Sequence, residues 1–158
     1  MMAFKSCHMR GFSTMEHGDL IAFMKARLDE DEALARAVED RSAPWDGQWV
    51  AEEGGNAIRT VNGHVLAYGQ TYPPRRGLAA HIAHHDPARV LREVERGRRL
   101  LKRYENAVTA CTHVSSARAR FTRGQDEGYR EAYLDAIRDA AEAHAGHSAY
   151  REEWRPEG

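Results

Sequence analysis

Three histidines and an aspartate occur together in the middle of the chain, in residues 81–86. His81 and His85 are four residues apart, so on a helix their rings share one face, as in helical two-histidine zinc sites. Asp86 could add an oxygen ligand, and His64 or His144 could supply another. A working site needs at least three converging ligands, whereas the local spacing provides two. We therefore predict hydrogen-bonding roles for the histidines and a helix-capping role for Asp86. The alternative is a small metal-dependent hydrolase or lyase centred on His81, His85 and Asp86.

Arginines dominate the segment that follows, and five of them are spaced by three and four residues: Arg89, Arg92, Arg96, Arg99 and Arg103. This spacing places them along one side of a helix, away from its apolar side. We call them the arginine ridge. Such a ridge could bind nucleic-acid phosphates or an acidic protein surface. The acidic first helix could instead lie beside it, or Glu93 and Glu95 could pair with it within the helix. No zinc finger or aromatic RNA-binding motif accompanies the ridge, so nucleic acid is the less favoured partner.

Motifs for nucleophilic catalysis and phosphate binding are absent from the sequence. There is no Gly-x-Ser-x-Gly and no Gly-x-x-x-x-Gly-Lys loop. Cys111 and His113 are close only along the chain, which is weak evidence because such pairs meet in space. Cys7 and Cys111 cannot form a disulfide framework and lack Cys-x-x-Cys spacing, which favours a reducing interior. We predict no cofactor, and we favour a protein that is not an enzyme.

The composition is typical of a soluble globular protein. The 158 residues are 42% hydrophobic and 30% charged, which suits one domain with a modest core. The net charge of −1 gives no broad field that would attract nucleic acid or anionic lipid. No apolar run of about 18 residues could span a membrane, and the N-terminus lacks the apolar core of a signal peptide. We expect a cytoplasmic protein with no membrane contact.

The hydrophobic periodicity predicts an α+β fold: an N-terminal helix, a small three-stranded antiparallel β-meander, then two long helices and an aromatic C-terminal tail. Residues 1–14 show no period, so we expect a disordered leader before a single globular domain over 15–158. The first helix is predicted over 19–40, with an apolar stripe that resumes at Leu34. Strands are predicted at 48–52, 56–61 and 64–68. Asn62-Gly63 is expected to link the last two as a two-residue turn in which both positions have a positive φ.

The second half of the chain is predicted to be mainly helical. A short helix at 78–85 precedes a long one from Pro87 to about Val108, with Asp86 as its N-cap. Gly97 lies in the apolar stripe of the long helix and suggests close packing there. Residues 109–125 are ambiguous and favour a loop. Another helix is predicted over 126–145, with Tyr129 on its apolar side, and the aromatic tail is expected to dock on its own domain.

Four segments resemble an uncharacterised family of small actinobacterial and actinophage proteins that carry a domain of unknown function. They are Glu30-Asp31-Glu32, Pro44-Trp45, residues 81–95 and Tyr150-Arg-Glu-Glu-Trp-Arg-Pro156. The resemblance covers about residues 15–108 and 147–156. It implies an intracellular location and a mobile-element setting, and it supplies no activity. Many relatives carry cysteines in the segment between, where this chain has only Cys111, so no metal role is carried over from them.

The favoured function is therefore a non-enzymatic accessory or protein-interaction module of the cytoplasm. Its contact surface is the arginine ridge, and its expected partner is an acidic protein surface. The metal-dependent enzyme and a nucleic-acid binder that uses the same arginines are the alternatives.

Overall fold

The computed structural model describes residues 14–38, 47–53, 57–68, 76–112 and 119–156. In chain order its elements are α1 (Thr14–Ala37), β1 (Trp49–Ala51), β2 (Ala57–Thr60), β3 (Val65–Tyr68), α2 (Arg76–His84), α3 (Pro87–Thr112), α4 (Ala119–Glu142) and a 3₁₀ turn (Glu152–Trp154). The α+β architecture is confirmed: an N-terminal helix is followed by a three-stranded antiparallel sheet and then by helices. The predicted leader lies outside the described residues, apart from Thr14.

The sheet has the order β1-β2-β3, and both strand pairs are antiparallel. The loop between β2 and β3 differs from the predicted two-residue turn. Among the described residues only Gly63 has a positive φ, of 90°. Thr60 closes the loop, because its backbone N–H donates to the His64 carbonyl oxygen at 2.8 Å and its hydroxyl oxygen accepts from the His64 N–H at 3.1 Å. A loop of three residues that ends on a left-handed glycine results, so Asn62 keeps an ordinary negative φ.

The larger hydrophobic core lies between α1, α3 and α4 and is closed by the 3₁₀ turn. Its buried side chains are Leu20, Phe23, Met24, Leu28, Val94, Leu101, Tyr104, Leu134, Ile137, Ala141 and Trp154. Along α1 and α4 most of them are three or four residues apart, and on α3 Val94 and Leu101 are seven apart, which are the spacings that give one apolar side. A smaller core joins Ile58 of the sheet to Ala79 and Ala83 of α2. The small sheet therefore gains the covering helix that it needs for stability.

Several helices extend beyond their predicted limits, and α1 begins at Thr14 instead of residue 19. α3 continues to Thr112, and within its last turns Thr109 and Thr112 donate their hydroxyls to backbone carbonyl oxygens one turn earlier. α4 begins at Ala119, so the predicted loop at 109–125 is wrong over much of its length. Gly124 is helical even though glycine weakens a helix by about 1 kcal/mol relative to alanine. No helix of the described ranges is both long enough and apolar enough to cross a bilayer.

Two expected core residues are exposed. Leu34 is 65% exposed, and Ala35, seven residues after Leu28, takes the buried position on α1. Tyr129 is 60% exposed, because α4 buries Leu134 and Ile137 instead. On α1, Leu20, Met24 and Leu28 are buried, and only the continuation of the apolar stripe shifts by one residue, from Leu34 to Ala35. On α4 the buried side, at Leu134, Ile137 and Ala141, is rotated from the predicted side that holds Tyr129.

Candidate functional site

Asp86 lies at the junction between the sheet and α3. Its Oδ1 atom accepts a hydrogen bond from the backbone N–H of Arg89 at 2.6 Å, which is the contact that defines an N-cap. Its Oδ2 atom accepts from the backbone N–H of Trp49 at 3.4 Å. Nearby, the Ala88 N–H donates to the Gly47 carbonyl oxygen at 2.9 Å. The predicted cap is present, and the same carboxylate also fixes β1 to the start of α3.

The arginine ridge lies on the solvent side of α3. Val94, Leu101 and Tyr104 are buried on the opposite side. At about 100° per residue, the ridge is centred roughly 140° around the helix from these buried residues. Arg89 is half-buried, and the other four ridge arginines are exposed. The ridge is therefore accessible to a partner along most of its length.

Acidic side chains of α3 neutralise two of the five ridge arginines. Arg89 pairs with Glu93 at 2.8 Å, and its guanidinium also donates to the His84 carbonyl oxygen at 3.3 Å. Arg99 pairs with Glu95 at 3.6 Å. Intrahelical pairing by glutamates was one of the competing interpretations of the sequence, and the structure shows it for these two positions.

Three ridge arginines have no intramolecular partner among the described residues: Arg92, Arg96 and Arg103. We call them the unpaired row. Steps of four and seven residues keep them within an arc of about 40° on α3 and spread them over about 16 Å of its length. They form a short, straight line of fixed positive charge on the outside of the molecule.

The acidic first helix does lie beside α3, but it pairs with Arg98, which flanks the ridge. Arg98 Nη2 lies 2.7 Å from Asp29 and 2.5 Å from Glu32. The hydrogen bond from Arg98, followed by that from Arg36, lowers the pKa of the Glu32 carboxyl group. The bonds to Glu32 and then Asp29 raise the pKa of Arg98. The α1 carboxylates therefore bind a flanking arginine and leave the unpaired row open.

The histidines lie on α2 and the turn after it. The ring centroids of His81 and His85 are 4.6 Å apart, and those of His84 and His85 are 5.5 Å apart. All three residues are exposed. The described residues contain no group of three His, Cys, Asp or Glu side chains arranged to hold a metal ion. The structure thus brings His81 and His85 together, whereas Asp86 caps α3.

The other residues considered as ligands or nucleophiles lie elsewhere. His64 is exposed just before β3. His144 contacts the Phe23 ring, with centroids 6.2 Å apart. Cys111 is a half-buried free thiol near the end of α3, whereas Cys7 and His113 lie outside the described residues.

The aromatic tail docks on the helices, as predicted. Trp154 is 4% exposed, and its ring lies 5.0 Å from that of Phe23. Tyr150 and His147 also contact the Phe23 ring, with centroids 6.1 and 5.8 Å away. Arg151 pairs with Asp19 at 2.8 Å and lies over the indole of Trp154. Phe23 was missed in the sequence, although its position three residues after Leu20 was a usable signal.

Comparison with known proteins supports a family assignment. No curated protein and no solved structure matches this chain. The predicted resemblance to a family of unknown function is confirmed. Residues 17–156 match the family of unknown function DUF6221, and the chain therefore belongs to that family.

Proposed function

We propose that this protein is a non-enzymatic accessory module of the cytoplasm that binds an acidic protein surface through the unpaired row of α3. The observation that carries the proposal is the contrast among the basic residues of this helix. Arg89, Arg98 and Arg99 have carboxylate partners, whereas the unpaired row has none within the described residues. Exposed arginines with no partner of their own are free to pair with carboxylates of another molecule.

The spacing of the row favours a particular kind of partner. About 16 Å corresponds to three turns of α-helix, so a partner helix with a carboxylate on successive turns can meet all three guanidinium groups. Arginine suits this contact, because its planar group can donate two parallel hydrogen bonds to a carboxylate. We therefore favour an acidic helix or a similar linear array of carboxylates.

Nucleic acid is the less favoured partner of the same surface. The net charge of the chain is −1, so no broad positive field supports the row. Glu93 and Glu95 are both exposed on α3 within the span of the row. A phosphate backbone that followed α3 would meet these carboxylates as well as the arginines. An acidic protein surface can instead be shaped to meet the three arginines alone.

The test measures binding of a fluorescent oligoglutamate peptide by anisotropy at low salt. We compare the wild type with Arg92→Gln/Arg96→Gln/Arg103→Gln and with a control that removes the same number of charges, Arg36→Gln/Arg151→Gln/Arg155→Gln. The control arginines are all ion-paired. At about 0.5–1 kcal/mol per exposed ion pair, the row variant should bind tenfold or more weakly, and the control should bind like the wild type.

Duplex DNA in the same assay separates the two partner classes. The proposal is supported if the row variant loses peptide binding and the wild type prefers the peptide to DNA. Equal loss in both triple variants would show that only net charge matters, and this would overturn the proposal. A wild type that binds DNA but not the peptide would move the function to the nucleic-acid alternative.

A further inference from the structure

The exposed side of α2 combines two histidines with two apolar side chains. α2 packs Ala79 and Ala83 against the sheet, while Leu78 and Ile82 are 51% and 37% exposed. The His85 N–H donates to the carbonyl oxygens of His81 and Ile82 at 3.2 and 3.1 Å, so His85 continues the helical path. At about 100° per residue, Leu78, His81, Ile82 and His85 fall within an arc of roughly 100°. They form one continuous surface, which we call the α2 face.

The two imidazoles on this face have the separation that a shared metal ion requires. A ring that binds zinc through nitrogen at about 2.0–2.1 Å has its centroid about 3 Å from the ion. Two such rings at neighbouring corners of a tetrahedron have centroids about 5 Å apart, and the observed separation is 4.6 Å. The separation of the two rings therefore matches that of two imidazoles on one ion.

The remaining ligands do not come from nearby described residues. Asp86 is adjacent, but both of its carboxylate oxygens accept backbone hydrogen bonds that hold the start of α3. No third His, Cys, Asp or Glu of the described ranges completes a set with the pair. The pair thus supplies two of the four ligands that zinc takes in a closed site.

We propose that His81 and His85 bind a divalent transition-metal ion, with Zn²⁺ as the reference, and that the same two histidines of a second copy of this chain complete the site. A two-fold axis through the ion would give four imidazole nitrogens in a tetrahedral arrangement. The same axis would bring Leu78 and Ile82 of one copy against those of the other. The second copy is the occupant of choice, because it supplies the missing pair of ligands at the correct spacing and covers the exposed apolar side chains.

The size of the α2 face makes this association depend on the metal. α2 has nine residues and is about 13 Å long. Stable interfaces bury about 1,200–2,000 Å² in total, which two short helix faces do not reach. The metal–nitrogen bonds must therefore supply most of the binding free energy, and removal of the ion should separate the copies. This site uses α2, so it can fail without affecting the proposed function of the unpaired row on α3.

The experiment uses full-length protein without a histidine tag. Equilibrium dialysis against ZnCl₂ followed by metal analysis gives the stoichiometry, and sedimentation velocity gives the mass with zinc and with EDTA. We expect one zinc ion per two chains, a dimer with zinc and a monomer with EDTA. His81→Ala and His85→Ala should each abolish both signals. His84→Ala, on the same helix, and His64→Ala are the matched controls and should retain them.

Other outcomes overturn the proposal. Absence of zinc binding removes the site, and one zinc ion per monomeric chain shows that ligands from a single copy complete it. Zinc binding that survives both His81→Ala and His85→Ala places the ion elsewhere. Leu78→Glu keeps both imidazoles and should weaken the zinc-bound dimer at least tenfold, and an unchanged dimer would exclude the α2 face as the interface. Circular dichroism of each variant verifies its fold, and the glutamine substitution at the same position replaces any alanine variant that unfolds.

Discussion

At the scale of single residues, Asp86 shows how one side chain can hold two elements together. The sequence predicted its capping role because an N-cap depends on the next three residues alone. Its bond to the Trp49 N–H joins residues 37 positions apart, and no local pattern indicates such a contact. The carboxylate that seemed available as a metal ligand is thereby engaged in structure.

Replacement of Asp86 tests this double role. Asp86→Ala should lower the free energy of unfolding by about 0.5–2 kcal/mol, because the N-cap hydrogen bond is lost. Asp86→Asn should retain most of the stability, since asparagine caps helices about as well as aspartate. Urea unfolding measures both, and Asp139→Ala on the exposed side of α4 is the control. A near-neutral Asp86→Ala would show that the cap does not stabilise α3.

At the scale of elements, the two sides of α3 have different roles. The stripe through Val94 and Leu101 packs into the larger core, and the ridge faces solvent. Both sides were predictable because this helix has a strong 3.6-residue period. The partners of individual arginines were not predictable, since they depend on how far α1 is rotated and shifted against α3.

At Gly97, α3 packs closely against Leu28 of α1. A Cβ atom at this position would lie 2.7 Å from Leu28 Cδ2 and 3.0 Å from Cδ1. We expect Gly97→Ala to destabilise the protein. Overpacking should cost about 1–3 kcal/mol of stability, and the higher helix propensity of alanine should offset up to about 1 kcal/mol of that cost. Gly128→Ala in α4 is the control. It has open space around it and should stabilise the protein by up to about 1 kcal/mol in the same urea assay.

A double variant identifies the contact responsible. In the Leu28→Ala background, Gly97→Ala should no longer destabilise, because the methyl groups that it meets are gone. The two substitutions should therefore be strongly non-additive. If Gly97→Ala stabilises the wild type as much as Gly128→Ala does, then Leu28 of α1 does not pack closely against Gly97 of α3.

The ion pairs between α1 and α3 predict a pH dependence. Because Arg98 and Arg36 lower the pKa of Glu32, the folded state is favoured while this carboxylate is charged. The stabilisation is present above the ordinary glutamate value of 4.5 and is lost as the pH falls below it. Urea unfolding between neutral and acidic pH should show a shallower loss of stability for Arg98→Gln than for the wild type. Arg99→Gln, whose partner lies on the same helix, should follow the wild type, and an Arg98→Gln curve parallel to the wild type would exclude this linkage.

At the scale of the whole molecule, the tail closes the larger core. Trp154→Ala should lower the free energy of unfolding by about 3–5 kcal/mol, because it removes a large buried ring. Trp154→Phe should lose much less, since an aromatic ring remains and the indole Nε1 has no hydrogen-bond partner among the described residues. Thermal and urea unfolding measure both variants. If Trp154→Ala unfolds like the wild type, the tail does not stabilise the core.

The sequence predicted the order of elements and the position of α3 better than it predicted the limits of α4. Regular leucine and valine spacing identified α3, whereas Gly124 and the preceding serines hid the start of α4. Packing of Leu134 and Ile137 in the core outweighs the low helix propensity of that glycine. In the candidate sites, the exposure of the arginine ridge was predictable, because its residues lie on the side of α3 away from the apolar side. Which three arginines stay unpaired depends on glutamate geometry and on α1, so it required the three-dimensional structure.

The central claim is that the unpaired row is the contact surface for an acidic partner. An NMR titration of the arginine Nε–Hε resonances with an oligoglutamate peptide tests it most directly, because it observes each guanidinium separately. We expect the resonances of Arg92, Arg96 and Arg103 to shift together and to saturate at one peptide concentration, while that of Arg98 stays in place. Shifts spread evenly over all arginines, or confined to those outside α3, would contradict the claim.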